Sequence, residues 1–278
     1  MLLELLREFV NSKRALGWPD FVIKNAIKEY LQYPVLSFIY GSSEYQNFVF
    51  MGGSALRIVY NLPRLSEDLD FNLTSSDYKR LDLNELGEKL KQYFKDKFLM
   101  IISFRVQGNL RLYLKFPILR DLGLASSVAD SDFLYVKIES SREDFINPEY
   151  EITPVSGFGF NFIVRSYNLK FLMTGKIGAI LERNWFKGKK NEIDIKGRDY
   201  YDLFWYLEKG VQPDYPNLSA SLKINDEQEL KAVLRKKIST AVTTKKLLYD
   251  LVNFFGEQEF ISSFCKNYKI IIGKYLNN

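Results

Sequence analysis

Apolar residues recur every three or four positions at the start of the chain, at Leu3, Leu6, Phe9 and Val10 and again at Phe21, Ile23, Ala26, Ile27 and Leu31. That spacing predicts helices over 1–17 and 20–33. Pro19 suits the start of the second helix, and Pro34 is expected to stop it. The short apolar run Phe48-Val49-Phe50-Met51 predicts a buried strand closed by Gly52-Gly53, with Ser54 capping a helix through Tyr60. Asp68-Leu69-Asp70-Phe71-Asn72-Leu73 alternates with period two, as a half-buried strand does. Thr74-Ser75-Ser76-Asp77 reads as a turn before a charged helix over 78–97.

Further strand signal lies in 99–106, 111–116 and 134–139, and after residue 165 the pattern becomes helical over 168–184, 198–209, 226–237, 240–255 and 257–276. Strands mixed with helices, then helices alone, predict an α+β domain over 1–165 and a helical domain over 166–278. The boundary is expected within 155–168, where Pro154, Gly157 and Gly159 interrupt the pattern.

Composition narrows the chemistry. The 278 residues include one cysteine, Cys265, and no histidine. That removes intrachain disulfides, Cys-based zinc clusters, Ser-His-Asp and Cys-His hydrolases and a histidine general base. Catalysis must then run on carboxylates, Lys, Tyr, Ser or a hard metal. No apolar stretch approaches a membrane span or a secretory core, so a cytoplasmic protein without membrane contact is expected. The net charge of +5 is uneven, with 19 Lys and Arg against 13 Asp and Glu from residue 170 onward and 20 against 21 before it. A weakly basic C-terminal part suits a polyanionic partner and equally an ordinary solvated surface.

The candidate chemistry sits in the stretch from Gly52 to Phe71. On a strand, Asp68 and Asp70 project from one face with Cα atoms about 6.6–6.8 Å apart, while Leu69 and Phe71 face the core. Two such carboxylates can converge on hard cations that stabilise the attacking and leaving oxygens of a phosphoryl transfer. A strand-Gly-Gly-helix turn lets backbone N–H groups approach phosphate oxygens, and Ser54 and Ser66 add hydroxyl donors. Taken apart, the glycines read as an ordinary turn and the acids as a solvated face; their order along the chain is what points to a nucleotide site. An EF-hand reading fails because Leu73 stands at its glycine position and Lys79 at its bidentate glutamate. No G-x-x-x-x-G-K-[ST] loop is present.

The order Met51-Gly52-Gly53-Ser54, thirteen residues from Ala55 to Glu67, then Asp68-Leu69-Asp70-Phe71, resembles the signature of DNA-polymerase-β-like nucleotidyltransferases. The fuller pattern "GGSALR…RLSEDLDF" resembles the AbiEii family, the toxins of type IV toxin–antitoxin and abortive-infection systems. A later helix with Lys176 and an Arg198-Asp199-Tyr200-Tyr201-Asp202 helix extend the likeness over roughly 48–207. It implies a nucleotidyltransferase domain with a mixed β-sheet flanked by helices, and a helical domain contributing Lys176 and Asp199 to the cleft. Asp68 and Asp70 would hold Mg²⁺ or Mn²⁺. Gly52, Gly53, Ser54, Arg64, Ser66, Lys176 and Arg183 would bind the NTP.

Superfamily members commonly take a third carboxylate from a later strand, and Glu139 is the candidate, as a metal ligand or a structural residue. Asp199, or Glu139, would assist the incoming hydroxyl as base or third ligand. The local pattern also allows Asp199 and Asp202 to be surface partners of Arg198 or Lys196. The acceptor the resemblance implies is RNA, a tRNA 3′ end, with a cognate antitoxin as a further partner. Trp185-Phe186-Lys187-Gly188-Lys189-Lys190 reads as a solvated loop or as one able to hold an RNA backbone. Transfer to a small molecule, as in antibiotic-modifying relatives, and nucleotide or RNA binding without catalysis are the alternative functions.

Overall fold

The structure, a computed structural model, describes residues 2–108, 110–125, 127, 131–142 and 144–277. Met1 and Asn278, the ends of the two expected domains, lie outside the described residues. Helix α1 (Leu2–Ala15) buries Leu2, Leu6 and Val10 along one stripe. Helix α2 (Asp20–Gly41) runs straight through Pro34 instead of stopping there. A proline inside a helix costs roughly 3 kcal/mol, but Val35, Leu36 and Ile39 beyond it are fully buried. Three such side chains are worth about 1.5–3 kcal/mol each, so the helix continues.

Strand β1 (Val49–Met51) passes directly into α3 (Gly52–Ile58), which therefore begins two residues before Ser54. Ser54 is wholly buried and caps nothing; its hydroxyl lies 2.9 Å from Ser66 Oγ and donates to the Asp68 carbonyl. Strand β2 (Asp68–Leu73) follows the expected alternation from Asp68 to Phe71, after which Asn72 is buried along with Leu73. The charged helix expected next is two helices, α4 (Ser75–Arg80) and α5 (Leu83–Phe98). Asp82 restarts the chain as a cap, accepting from the Asn84 and Glu85 amides at 2.8 and 3.3 Å.

Strands β3 (Ser103–Gln107), β4 (Arg111–Pro117) and β5 (Phe133–Arg142) come next, then β6 (Tyr150–Gly157) and β7 (Phe160–Tyr167). The last two form a hairpin where the sequence pattern predicted an interruption. Phe158 and Gly159 both take positive φ, 51° and 79°, as a two-residue type I′ turn requires. Phenylalanine is a costly choice there. Ring contacts to Tyr30 at 4.3 Å, Tyr33 at 4.8 Å and Phe9 at 5.7 Å hold it.

The strands form one sheet in the order β3-β4-β5-β2-β1-β7-β6. Antiparallel β3-β4-β5 meets β2 in parallel, β1 returns antiparallel to β2, and β7 runs parallel to β1. This is the mixed sheet flanked by helices that the resemblance implied. The strand β2 lies at its centre, and β6, carrying Pro154, at one edge.

The chain divides into two compact units, Met1–Asp144 with Tyr150–Ser166, and Phe145–Glu149 with Tyr167–Asn278. The second comprises α6 (Leu169–Glu182), α7 (Gly197–Glu208), α8 (Tyr215–Leu222), α9 (Glu227–Ala241), α10 (Thr244–Leu251) and α11 (Gln258–Leu276). Helix α8 has no apolar stripe long enough to predict it; Asp214 caps it by accepting from the Asn217 amide at 2.9 Å. The segment Phe145–Glu149 is tied to this unit by the Phe145 ring, 5.2 Å from that of Tyr167 and 5.3 Å from that of Phe171. No described helix is long and apolar enough to cross a membrane.

Helices α7 and α10 approach so closely that a Cβ on Gly197 would lie 2.5 Å from the Leu247 carbonyl oxygen. Backbone cannot swing aside as a side chain can. Gly197→Ala is therefore expected to lower stability by about 1–3 kcal/mol, read as a fall in the urea midpoint at unchanged slope. An unchanged midpoint would mean that the two helices are not packed this tightly.

Candidate active site

The alternation of β2, β4 and β5 sends Leu69, Leu112 and Ile138 to one face of the sheet, where all three are fully buried. Their neighbours in sequence occupy the other face in two cross-strand rows. One row is Arg111, Glu139 and Asp70; the other is Tyr113, Lys137 and Asp68. Three acids and two cations thus share a partly exposed surface on adjacent strands, with an apolar core directly behind them.

The cations are bonded to the acids. Arg111 grips Glu139 with both arms of its guanidinium, Nε to Oε2 at 3.1 Å and a terminal nitrogen to Oε1 at 3.2 Å. Lys137 Nζ lies between Asp68 Oδ2 at 3.1 Å and Glu139 Oε2 at 2.9 Å. Burial alone would raise the Glu139 carboxyl, but Arg111 and Lys137 outweigh it and hold the group below its ordinary value. Burial would likewise lower the Lys137 ammonium, and Asp68 and Glu139 reverse this, leaving it well above its ordinary value. At neutral pH both are charged.

The glycine turn closes on the same place. Met51 pairs with Asp70 across β1 and β2, and Gly52 follows with φ of 73°. A Cβ on Gly52 would fall on Asp70 Oδ2, and one on Gly53 would lie 2.6 Å from the Arg64 guanidinium and 3.1 Å from Ser66 Oγ. The double glycine is therefore required by what packs against it. Arg64, Ser54 and Ser66 are buried beneath the turn. Ser66 is held there by Glu29 Oε2, which accepts from its amide at 3.3 Å, and by Gln32, which donates to its carbonyl at 3.2 Å. The structure thus brings Gly52, Gly53, Asp68, Asp70 and Glu139 together and places Ser54, Ser66 and Arg64 under them as a brace.

The donor set of Asp68 and Asp70 suits a hard divalent ion, since Mg²⁺ is usually held by one or two carboxylates together with waters and substrate phosphates. Glu139 has both oxygens engaged by Arg111 and Lys137. Among the described residues no group of three or more His, Cys, Asp or Glu side chains is arranged to hold a metal. The fit is to a two-aspartate site completed by a phosphate ligand.

In the second unit Lys176 Nζ lies 2.8 Å from Asp199 Oδ1 and 2.8 Å from Asp202 Oδ2, and Arg183 reaches Asp199 Oδ2 at 2.6 Å. Both aspartates are buried, so the surface-pairing alternative does not apply to them. Arg198 turns away, its backbone N–H donating to Asp250 Oδ2 at 3.0 Å and its guanidinium stacking 4.2 Å from the Phe254 ring. Burial pushes the Asp199 carboxyl up, but Lys176 and Arg183 prevail and hold it down at about 2. The loop after α6 is closed by a bridge between Lys187 and Ile193, leaving Phe186 exposed.

Two residues of the sheet site, Lys137 and Arg111, escaped the sequence reading. The signal for Lys137 was present, because period two places it on the Glu139 face of the expected strand. Arg111 needed the β4–β5 register, which no local pattern supplies.

A family model described as nucleotidyl transferase AbiEii toxin, type IV toxin–antitoxin system, matches residues 37–274. By fold the chain is similar to MenT4, a nucleotidyltransferase toxin from Mycobacterium tuberculosis H37Rv, at a TM-score of 0.54 and 13% identity over 96% of this chain and 89% of that one. JHP933 from Helicobacter pylori gives a TM-score of 0.48 and 17% identity over 91% and 93% of the two chains. Comparison with curated protein sequences finds no match. The molecule is a nucleotidyltransferase. It belongs to the AbiEii family of type IV toxins, which implies an NTP substrate and an antitoxin partner.

Asp199 also sets a pH dependence. Its carboxyl falls from an ordinary 3.8 to about 2 on folding, so it contributes stability that is complete above about pH 4 and lost as pH falls toward 2. Integrated, that is on the order of 2 kcal/mol. Urea unfolding at pH 7, 4 and 2.5 should show Asp199→Asn losing less stability on acidification than the unsubstituted protein. Parallel losses in the two would exclude this source.

Proposed function

We propose that the protein transfers a nucleoside monophosphate from an NTP onto a hydroxyl of an RNA acceptor, a tRNA 3′ end, and releases pyrophosphate. The observation that carries the reading is the placement of Asp68 and Asp70 on one face of the central strand, with the Gly52-Gly53 turn closed against Asp70. The acceptor oxygen attacks the α-phosphorus, the bond from that phosphorus to the bridging oxygen breaks, and pyrophosphate leaves with the bonding electrons. The acceptor proton passes to water. Phosphoryl transfer asks mainly for positioning and charge, which suits a site where Arg111 and Lys137 hold the Glu139 carboxyl below its ordinary value and so make it a weak proton acceptor.

Asp68 and Asp70 would hold Mg²⁺ or Mn²⁺, which when bound supplies charge neutralisation at the phosphoryl oxygens. The Gly52-Gly53 backbone would face the phosphates without side chains in the way, while Ser54, Ser66 and Arg64 keep that turn rigid. Lys176 and Arg183 are assigned to the nucleotide phosphates by the motif likeness. Asp199, at about 2, is too weak a base to deprotonate a hydroxyl efficiently, and we assign it to orienting Lys176. The RNA acceptor is supported by the excess of Lys and Arg after residue 169 and by the exposed Phe186 beside Lys187, Lys189 and Lys190.

Purified protein incubated with Mg²⁺, total tRNA and each α-labelled NTP in turn should label tRNA with one nucleotide. Asp68→Ala and Asp70→Ala, confirmed as folded by circular dichroism, should each lower labelling by about 100-fold or more, as loss of a transition-state electrostatic partner does. Full labelling by either variant would exclude the assignment. Absence of label with every NTP, alongside pyrophosphate release with another acceptor, would replace tRNA and keep the enzyme.

Gly52→Ala should be nearly as damaging. The new methyl displaces the Asp70 carboxylate and strains the positive φ, and a displacement of about 1 Å costs about 100-fold in rate. Wild-type labelling by this variant would show that the turn does not position Asp70.

A further inference from the structure

A positive charge already sits on the Asp68 carboxylate, and it belongs to the chain. Lys137 Nζ is 3.1 Å from Asp68 Oδ2 and 2.9 Å from Glu139 Oε2. We propose that Lys137 is an exchangeable internal counter-ion, occupying Asp68 until a divalent cation arrives with its nucleotide and then withdrawing onto Glu139. The proposal rests on the reading of Asp68 and Asp70 as the metal-holding pair.

Three observations carry it. The first is position: Lys137 is directly opposite Asp68 in the β2–β5 register, so its ammonium is delivered to that carboxylate by the backbone and not by chance of a surface side chain. The second is the arrangement of Glu139. Arg111 holds both Glu139 oxygens in a two-armed grip, and such a fork is preorganised whereas a lysine ammonium on a flexible stem is not. Lys137 can therefore let go of Asp68 without leaving either itself or Glu139 unpaired. Its side chain is 22% exposed, so the movement needs no repacking of the core.

The third is charge. Within these two rows Asp68, Asp70 and Glu139 against Lys137 and Arg111 leave one net negative charge, and Arg105 and Lys115 on the same face add positive charge around them, so there is little to attract a free divalent ion. Removing the ammonium would leave two, with Asp68 uncompensated. A nucleotide brings the missing negative charge on its phosphates. The cluster is thus set to take metal as the metal–nucleotide complex and to resist the bare ion.

The test is Mn²⁺ binding by electron paramagnetic resonance, with and without each NTP, for the unsubstituted protein, Lys137→Arg, Lys137→Gln and the double variant Lys137→Gln/Glu139→Gln. Without nucleotide, Lys137→Gln should bind Mn²⁺ tighter than wild type by about tenfold or more, the least expected for removing a unit charge a few Å away when water screens it fully. Lys137→Arg should bind as wild type does. The double variant restores the net charge and still lacks the ammonium. It too should bind tighter if occupancy of Asp68 is what excludes the ion, and it carries the test should Lys137→Gln fold poorly.

Unchanged Mn²⁺ affinity in the folded Lys137 variants, with wild type binding Mn²⁺ in the presence of NTP, would overturn the proposal alone. A wild-type protein that binds no Mn²⁺ even with NTP would overturn the two-aspartate metal site, and this inference with it.

Discussion

Met51 lies opposite Asp70 in the sheet, and that single register leaves no room for a side chain at residue 52. The rest of the site follows from this steric exclusion. A residue without a Cβ can take the positive φ that turns β1 sharply into α3, and the turn brings the start of a helix beside the carboxylate. Gly53 then meets the buried Arg64, and Ser54 ties the same turn to Ser66 and to the start of β2. Changing the side chain at any of these points moves the others, because they occupy one another's space.

Electrostatics repeat one arrangement in both units. In the sheet a lysine bridges Asp68 and Glu139; in the helical unit another bridges Asp199 and Asp202. Burial separates their behaviour. Asp199 and Asp202 are almost wholly buried and Lys176 only slightly exposed, so removing one member would strand a charge in a medium that solvates it poorly. Lys137 is 22% exposed and Asp68 28%, so water reaches this pair as it does not reach the other, and Glu139 still holds the ammonium when it parts from Asp68.

Much of this was legible in the residues. The acid pair on β2 is visible because period-two alternation survives intact from Asp68 to Phe71, and the glycine turn is visible because an apolar run ends abruptly at Met51. What escaped were features fixed by distant partners. Pro34 looks like a stop until the burial of Val35, Leu36 and Ile39 is known. Pro154, Gly157 and Gly159 look like a break in the pattern, and only the rings of α1 and α2 show why Phe158 takes the left-handed conformation that closes a hairpin there. Lys137 was hidden by its ordinariness, a lysine on a strand, until the register placed an aspartate opposite it.

The strand at one margin of the sheet carries a further consequence. A terminal strand offers its outer backbone groups to any extended chain that drifts alongside, and β6 contains Pro154, whose nitrogen has nothing to donate. The interruption that blurs the sequence pattern is, in the folded molecule, a break in the template for continued pairing. A protein made inside a crowded cell gains from it a margin that discourages growth of the sheet from one molecule into the next.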